Sequence, residues 1–341
     1  MKAIIYKGLR SIALEERPEP ELKRPDEVLV RIASTGICGT DRNIYLGNFR
    51  AQEGVILGHE SVGVVAAVGA EVKGVAPGDR VAVNPTLYCG ACDFCRRGEL
   101  NFCDNKAGTE VGVDRDGTFA NYVVLSERFL HKLPAGLGFE RAVLVEPLAC
   151  VLNNVEAAGL RPEDDVVILG AGPIGMVWAL LARRVARQVT MVESSPFRRN
   201  FASRHLEYVV DAGAPDVVAD VVACNGGRKP RVVVDTTGVA LERSLELVSK
   251  GGRVVLMGFN AGYRATIHPL TLVGQGIRII GAGDYNSHIF PSAIELAATL
   301  PLEGLVTHQL PLEDYEKAFG LLVGGGQHAE YGAMKVVLRS V

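Results

Sequence analysis

Short apolar runs punctuated by Gly, Pro and Asp dominate the first third of the chain. Val28-Leu29-Val30-Arg31-Ile32, Ser61-Val62-Gly63-Val64-Val65-Ala66-Ala67-Val68 and Arg80-Val81-Ala82-Val83 are Val-rich, with turn-forming residues around them. This is a strand-and-turn pattern, and its spacing predicts a small barrel or sandwich. The pattern changes near residue 150. Val166–Leu169 is continuously apolar, and helical periodicity follows from Pro173 to Arg184. Val189–Val192 comes next, then a helical stretch from Pro196 to about His205. Arg231–Asp235, Arg253–Met257 and Ile277–Ile280 are further strand candidates, with helical segments such as Leu241–Val248 between them. Apolar strands alternating with helices predict a parallel sheet covered on both faces. The chain after about residue 285 is expected to return to the first part. No repeat, low-complexity tract or long linker interrupts this organisation.

Composition narrows the picture. A chain of 341 residues suggests about two domains. Lys and Arg total 36 against 39 Asp and Glu, a formal charge of −3, which lacks the basic excess of a nucleic-acid binder. Charged residues at 22% and hydrophobic residues at 48% fit a globular protein. No apolar run approaches the length of a transmembrane helix, and Met1–Lys7 lacks the apolar core of a signal peptide. A cytosolic, reducing location is therefore expected, where cysteines serve metals or catalysis more often than disulfides.

Three groups of residues carry chemistry. Cys89, Cys92, Cys95 and Cys103 fall within one short segment with Gly90 and Gly98. Zinc takes four thiolates tetrahedrally, so a structural zinc is expected; loop thiols or disulfides are the alternative. Cys150 and Cys224 stand alone and read as small buried apolar residues. Gly170-Ala171-Gly172-Pro173-Ile174-Gly175 follows an apolar strand and opens a helix, the context in which glycines admit a pyrophosphate to a helix N-terminus. Glu193 closes the next strand, where a carboxylate would bind ribose hydroxyls and repel a 2′-phosphate. NAD is therefore expected over NADP, although Arg198 and Arg199 could meet a phosphate. The third group is dispersed: Cys38, His59, Glu60 and Glu146. One Cys, one His and one or two Glu can hold zinc with a place left for water or substrate, but spacing alone leaves this open.

Together these residues resemble the zinc-containing medium-chain dehydrogenase/reductase family, in particular its polyol, sorbitol and threonine dehydrogenase branch. The motifs are Gly36-Ile37-Cys38-Gly39-Thr40-Asp41, Gly58-His59-Glu60, the four-cysteine lobe, Glu146-Pro147-Leu148, the Gly170–Gly175 loop and the closing Lys335-Val336-Val337-Leu338. The resemblance implies an α/β architecture. A GroES-like β-rich catalytic domain would span 1–149, with a structural zinc lobe at 86–106. A Rossmann doubly wound parallel-sheet domain would span 150–285, and 286–341 would return to the catalytic domain. The active site would lie in the cleft between them. Cys38, His59 and Glu60 would hold a catalytic zinc, with Glu146 either ligating it or hydrogen-bonding its water. Thr40 would accept the substrate proton while hydride passes to the nicotinamide. Gly170, Gly172, Pro173, Ile174, Gly175, Glu193, Arg198, Gly258, Ala282 and Gly283 would bind the cofactor. Two zinc ions and one NAD per chain, a homodimer or homotetramer, a small-molecule alcohol or ketone substrate, no nucleic-acid or membrane partner and a cytoplasmic location complete the expectation.

Two departures bear on the substrate. Asn43 stands where many relatives carry a His, and Asn cannot titrate near neutral pH. Asp284 stands near a position where polyol dehydrogenases often place an Arg. With Asn153 and Asn154 it points to a sugar, polyol or cyclitol secondary alcohol, extending to an aminocyclitol; Tyr45 and Tyr285 are further substrate-side candidates. L-Threonine or a simple secondary alcohol is the alternative substrate. A zinc-free quinone reductase would lack Cys38, His59 and the cysteine lobe. A non-catalytic zinc module would need a basic stripe, but Arg96, Arg97 and Lys106 sit beside Asp93, Glu99 and Asp104. The intact Cys38, His59 and Glu60 set speaks against a protein that binds cofactor without catalysis.

Overall fold

The Val-rich segments of the first third become strands because their side chains alternate between an apolar layer and the surface. The computed structural model describes residues 1–302, 304–323 and 332–340, so the expected return at 286–341 lies partly outside the described residues. The strands of this part are β1 (Lys2–Gly8), β2 (Ser11–Glu16), β3 (Glu27–Gly36), β4 (Glu60–Val68), β5 (Arg80–Val83), β6 (Tyr122–Ser126) and β7 (Leu130–Lys132). On β3, Val28, Val30 and Ile32 are fully buried while Arg31 between them is exposed. These residues share a core with Val65, Val81, Val83 and Leu125 of the neighbouring strands.

The second half gives β8 (Asp165–Leu169), β9 (Gln188–Glu193), β10 (Tyr208–Asp211), β11 (Val232–Asp235), β12 (Arg253–Leu256) and β13 (Arg278–Gly281). They form one parallel sheet in the order β10-β9-β8-β11-β12-β13. This is the doubly wound order, whose direction reverses between β8 and β11. Every residue of β8 is buried, the signature of a strand covered on both faces. The helix Pro173–Ala182 begins with Pro at its first turn, where a missing N–H costs nothing. Its Trp178 is fully buried, and the indole N–H donates to Met257 Sδ at 3.1 Å.

The chain then adds β14 (Val306–Pro311) and β15 (Lys335–Arg339) to the first part. The larger sheet there runs β14-β15-β3-β4-β5-β7, with β6 also pairing on β3. β15 lies antiparallel to β3 with Val337 opposite Gly36. Residue contacts divide the chain into two units, the first holding Met1–Ala149 with most of the chain beyond Gly283, the second holding Cys150–Gly283. Among the described residues no helix is long and apolar enough to cross a membrane.

Candidate active site

The strand β3 ends at Gly36, and the short helix Gly39–Tyr45 begins two residues after Ile37. Cys38 is the N-cap of that helix in extended backbone and forms a capping box with Asp41 three residues on. His59 and Glu60 lie at the start of the adjacent β4. One donor atom from each of Cys38, His59 and Glu60 lies within 4.8 Å of the others. His59 and Glu60 are nearly inaccessible to solvent.

The fully buried Asp41 holds the two segments in place. Its carboxylate accepts the Cys38 N–H at 2.8 Å and the Gly58 N–H at 3.2 Å. From the sequence Asp41 is visible only as part of a motif, although an acid three residues into a helix signals a cap. Lys335 likewise has no role that the sequence assigns. Its buried ammonium forms an ion pair with Glu60 Oε2 and donates to Ile37 O at 3.0 Å.

The electrostatics fit a divalent cation. His59 Nδ1 is buried with no hydrogen-bond partner, and Asp41 Oδ1 lies 3.9 Å from it. Burial alone would lower the His59 pKa, yet the Cys38, Asp41 and Glu146 charges raise it well above its usual value. The Cys38 thiol is pushed up by burial and by Glu60. Without a metal, anionic donors in a dry site hold protons; a dication replaces those protons and satisfies the orphaned imidazole. A thiolate, an imidazole and a carboxylate are a donor set suited to zinc with one place left open.

Glu146 lies outside this close group, buried in the first turn of the helix Val145–Ala158. Its charge nonetheless acts on both His59 and Lys335. Thr40 Oγ1 lies 3.7 Å from Cys38 Sγ. Asn43 is on the same short helix, and its carbonyl accepts the N–H groups of Asn48 and Phe49.

The four cysteines of the lobe form a second convergent group, their sulfur atoms all within 4.8 Å. Cys89 Sγ lies 4.0 Å from Cys95 Sγ, and Cys92 Sγ lies 4.0 Å from Cys103 Sγ. Four thiolates at ~2.3 Å from a tetrahedral zinc would stand ~3.8 Å apart, close to these separations. The Asn105 amide, then the Ala91 and Cys92 N–H groups, lower the Cys89 pKa to about 6, while burial pushes Cys95 up to about 12. All seven cysteines are free.

In the parallel sheet, the glycine loop sits at the end of β8, beside β11. Gly170 takes φ +100°, and a Cβ on Gly175 would fall 1.9 Å from Gly170 O. The helix can approach the loop this closely only because Gly175 has no side chain. Glu193 is buried at the end of β9, with one oxygen accepting the Ala171 N–H at 2.6 Å and the other the Ser195 N–H at 2.7 Å. Arg198 lies over Gly172, its Nη1 3.6 Å from where a Cβ there would be. Arg199 pairs with Asp211 and donates to the Glu193 and Ser194 carbonyls. Gly258 packs against the backbone of Thr237 and Gly238, where a Cβ would fall 2.0 Å from Gly238 N. Ala282 and Gly283 follow β13, and Gly283 takes φ +65°.

The expected substrate residues each have a partner within their own unit. Asp284 forms an ion pair with Lys106, so it is not the unpaired carboxylate an amine would need. Tyr285 is buried, packs on Phe290 and donates its hydroxyl to Asn84 Oδ1 at 3.1 Å. Asn153 donates to Ala282 O at 3.2 Å and Asn154 to Cys150 O at 2.9 Å. Tyr45 packs on Phe319 and lines a cavity of about 510 Å³ with Arg10, Ser11 and Tyr315. Buried polar side chains of this kind are held by partners in the fold before any ligand arrives.

The first unit thus holds two convergent metal-type donor groups, and the second carries a glycine loop at the switch point of a doubly wound sheet. That combination defines a metal- and dinucleotide-using oxidoreductase. Residues 24–135 match the alcohol dehydrogenase GroES-like domain, and residues 173–299 match the zinc-binding dehydrogenase domain. The chain is 32% identical to D-arabitol-phosphate dehydrogenase of Enterococcus avium over 312 residues, covering 89% of this chain and 88% of that protein. A zinc-binding dehydrogenase from Sinorhizobium meliloti bound to NADP superposes with a TM-score of 0.90 at 30% identity, covering 99% of both chains. An alcohol dehydrogenase (rspB) from Escherichia coli complexed with NADH gives 0.89 at 28% identity, over 100% of this chain and 99% of that one. The chain belongs to the zinc-binding alcohol dehydrogenase family. It is a zinc-dependent dehydrogenase acting on the CH–OH group of an alcohol.

Proposed function

We propose that the enzyme interconverts a secondary hydroxyl of a polyol or sugar and the corresponding ketone, with NAD as partner. The observation that carries this is the convergence of Cys38, His59 and Glu60 beside the Thr40 hydroxyl. The polyol class draws support from the likeness to D-arabitol-phosphate dehydrogenase. The amine preference loses support, because Lys106 neutralises Asp284.

On this reading Cys38, His59 and Glu60 bind the catalytic zinc, and Glu146 reaches it through water. The four lobe cysteines bind a structural zinc. Residues 1–149 with 286–341 supply the catalytic part, and 150–285 bind the dinucleotide. Zinc supplies Lewis acidity toward an alcohol or carbonyl oxygen, and the nicotinamide supplies the hydride acceptor. Thr40 takes the hydroxyl proton. Asn43 can orient a hydrogen bond but cannot carry that proton onward, so water completes the relay.

Glu193 favours NAD, since a buried carboxylate repels a 2′-phosphate while its remaining lone pairs can accept ribose hydroxyls. Arg199 is drawn away from a phosphate by Asp211. A homodimer is supported by the edge strand β13 together with exposed Phe259, Leu270 and Val273. Seven free cysteines, four of them clustered, suit a reducing cytoplasm.

The test is reduction of NAD and of NADP with a panel of free and phosphorylated polyols, before and after chelation and zinc return. Zinc-restored activity on polyols with preference for NAD supports the reading. Turnover that survives removal of the Cys38-site metal, or a preference for simple alcohols, overturns it.

A further inference from the structure

Lys335 is only 3% exposed and its partner Glu60 only 2%. Lysine is among the residues least often fully buried, and a buried ion pair seldom stabilises a fold more than apolar residues of the same shape. Stability is therefore a poor account of this pair. The fold nonetheless makes room for it. A Cβ on Gly36 would fall 2.4 Å from Glu60 Oε2 and 2.7 Å from Lys335 Cε, so only glycine leaves the space. The register Val337 opposite Gly36 carries Lys335 to the level of the site. The bond to Ile37 O anchors the ammonium next to Cys38.

The consequence lies in how Glu60 can bind. A carboxylate offers two oxygens. Three single-atom donors leave a tetrahedral zinc one place for substrate, whereas a carboxylate binding through both oxygens would close it. We propose that Lys335 is a positioning residue that occupies Oε2 of Glu60, so the carboxylate gives the metal one oxygen and the substrate place stays open. This rests on reading Cys38, His59 and Glu60 as the zinc ligands.

The experiment compares wild type, Lys335→Met and Lys335→Arg as purified full chains. Zinc per chain comes first: a wild type holding metal only at the cysteine lobe overturns the ligand reading itself, whatever Lys335 does. With both sites filled, the Cys38-site metal is exchanged for Co²⁺ and its visible absorption and release to a chelator are recorded. In Lys335→Met, Glu60 is free to bind through both oxygens. The expected result is a shifted cobalt absorption spectrum that no longer responds to added alcohol, as when the second carboxylate oxygen takes the place of water or substrate, and metal release slowed roughly tenfold, a change of the size outer-shell partners produce. KM for the alcohol rises while NADH affinity is unchanged, and Lys335→Arg restores the wild-type spectrum. A folded Lys335→Met with the wild-type spectrum and release rate overturns the proposal. So does faster release with an unchanged spectrum, which marks a purely structural pair. Lys335→Gln, which keeps a donor for Ile37 O, is read by the same criteria if the Met variant does not fold.

Discussion

Gly175→Ala probes the dinucleotide site with two opposing effects of known size. Alanine is the better helix former by ~1 kcal/mol, so propensity alone would stabilise the helix Pro173–Ala182. Sterics oppose it. The new Cβ would stand 1.9 Å from Gly170 O, a backbone atom that cannot rotate aside. Reaching an ordinary contact of ~3.5 Å needs about 1.5 Å of movement between loop and helix. Overlap this deep with a backbone atom belongs at the upper end of the usual overpacking cost, about 3 kcal/mol, leaving a net loss of about 2 kcal/mol. For a unit of this size that is a fall of about 8 °C in its melting transition. Because the helix N-terminus is the proposed phosphate site, a shift near 1 Å should also weaken NADH binding by about 100-fold. Gly172→Ala is the control: its Cβ would meet only Arg198, at 3.6 Å, and the apo protein should melt within a degree or two of wild type. The assays are calorimetry of the apo protein and NADH fluorescence titration. Should Gly175→Ala bind NADH as wild type does and melt no lower, the close approach of loop and helix plays no part in holding the dinucleotide.

Asp41→Asn keeps the shape but loses the charge that accepts two buried amides, each worth ~1.5–3 kcal/mol. Urea unfolding should show a loss of about 2–4 kcal/mol together with easier metal release; unchanged metal retention would remove Asp41 from the site's support. Burial lowers the His131 pKa from its usual 6.5 where it stacks on Phe290, so its contribution is full above 6.5 and is lost as pH falls through the depressed value. His131→Phe should flatten that acid-side slope of stability against pH, and a slope equal to wild type would count against the assignment. Asp284→Asn should leave the ratio of rates on amino and neutral polyols within twofold, since Lys106 already pairs with the carboxylate; a strong loss on amino substrates alone would restore Asp284 as a substrate contact.

The features legible in the sequence are those whose parts lie close along the chain. Four cysteines between 89 and 103, and glycines between 170 and 175, declare their geometry because few backbone paths join them. β8 and β11 are readable for another reason: a strand buried on both faces is a nearly continuous apolar run. β10 and β14 escape because most of their residues are only partly buried or exposed, which blurs the pattern. The hairpin of β1 and β2 is not anticipated at all. The partners of Asp284, Tyr285 and Glu60 are hidden for a deeper reason. Lys106, Asn84 and Lys335 are far from them in sequence, and no local preference announces such pairings. The same holds for Gly36, which in the sequence is only the first residue of the Cys38 motif until the neighbouring side chains are seen.

The union of Glu60 with Lys335 also has a bearing on biosynthesis. On the ribosome the carboxylate emerges early and its counter-cation only after the whole nucleotide-binding half has been made. Until β15 docks, the carboxylate has no ammonium to meet, and a chain halted before residue 335 would be left with the edge of β3 that β15 covers unpaired. Interrupted synthesis should therefore yield a product that chaperones and proteases recognise as unfinished, even where the cysteine lobe has already taken up its metal.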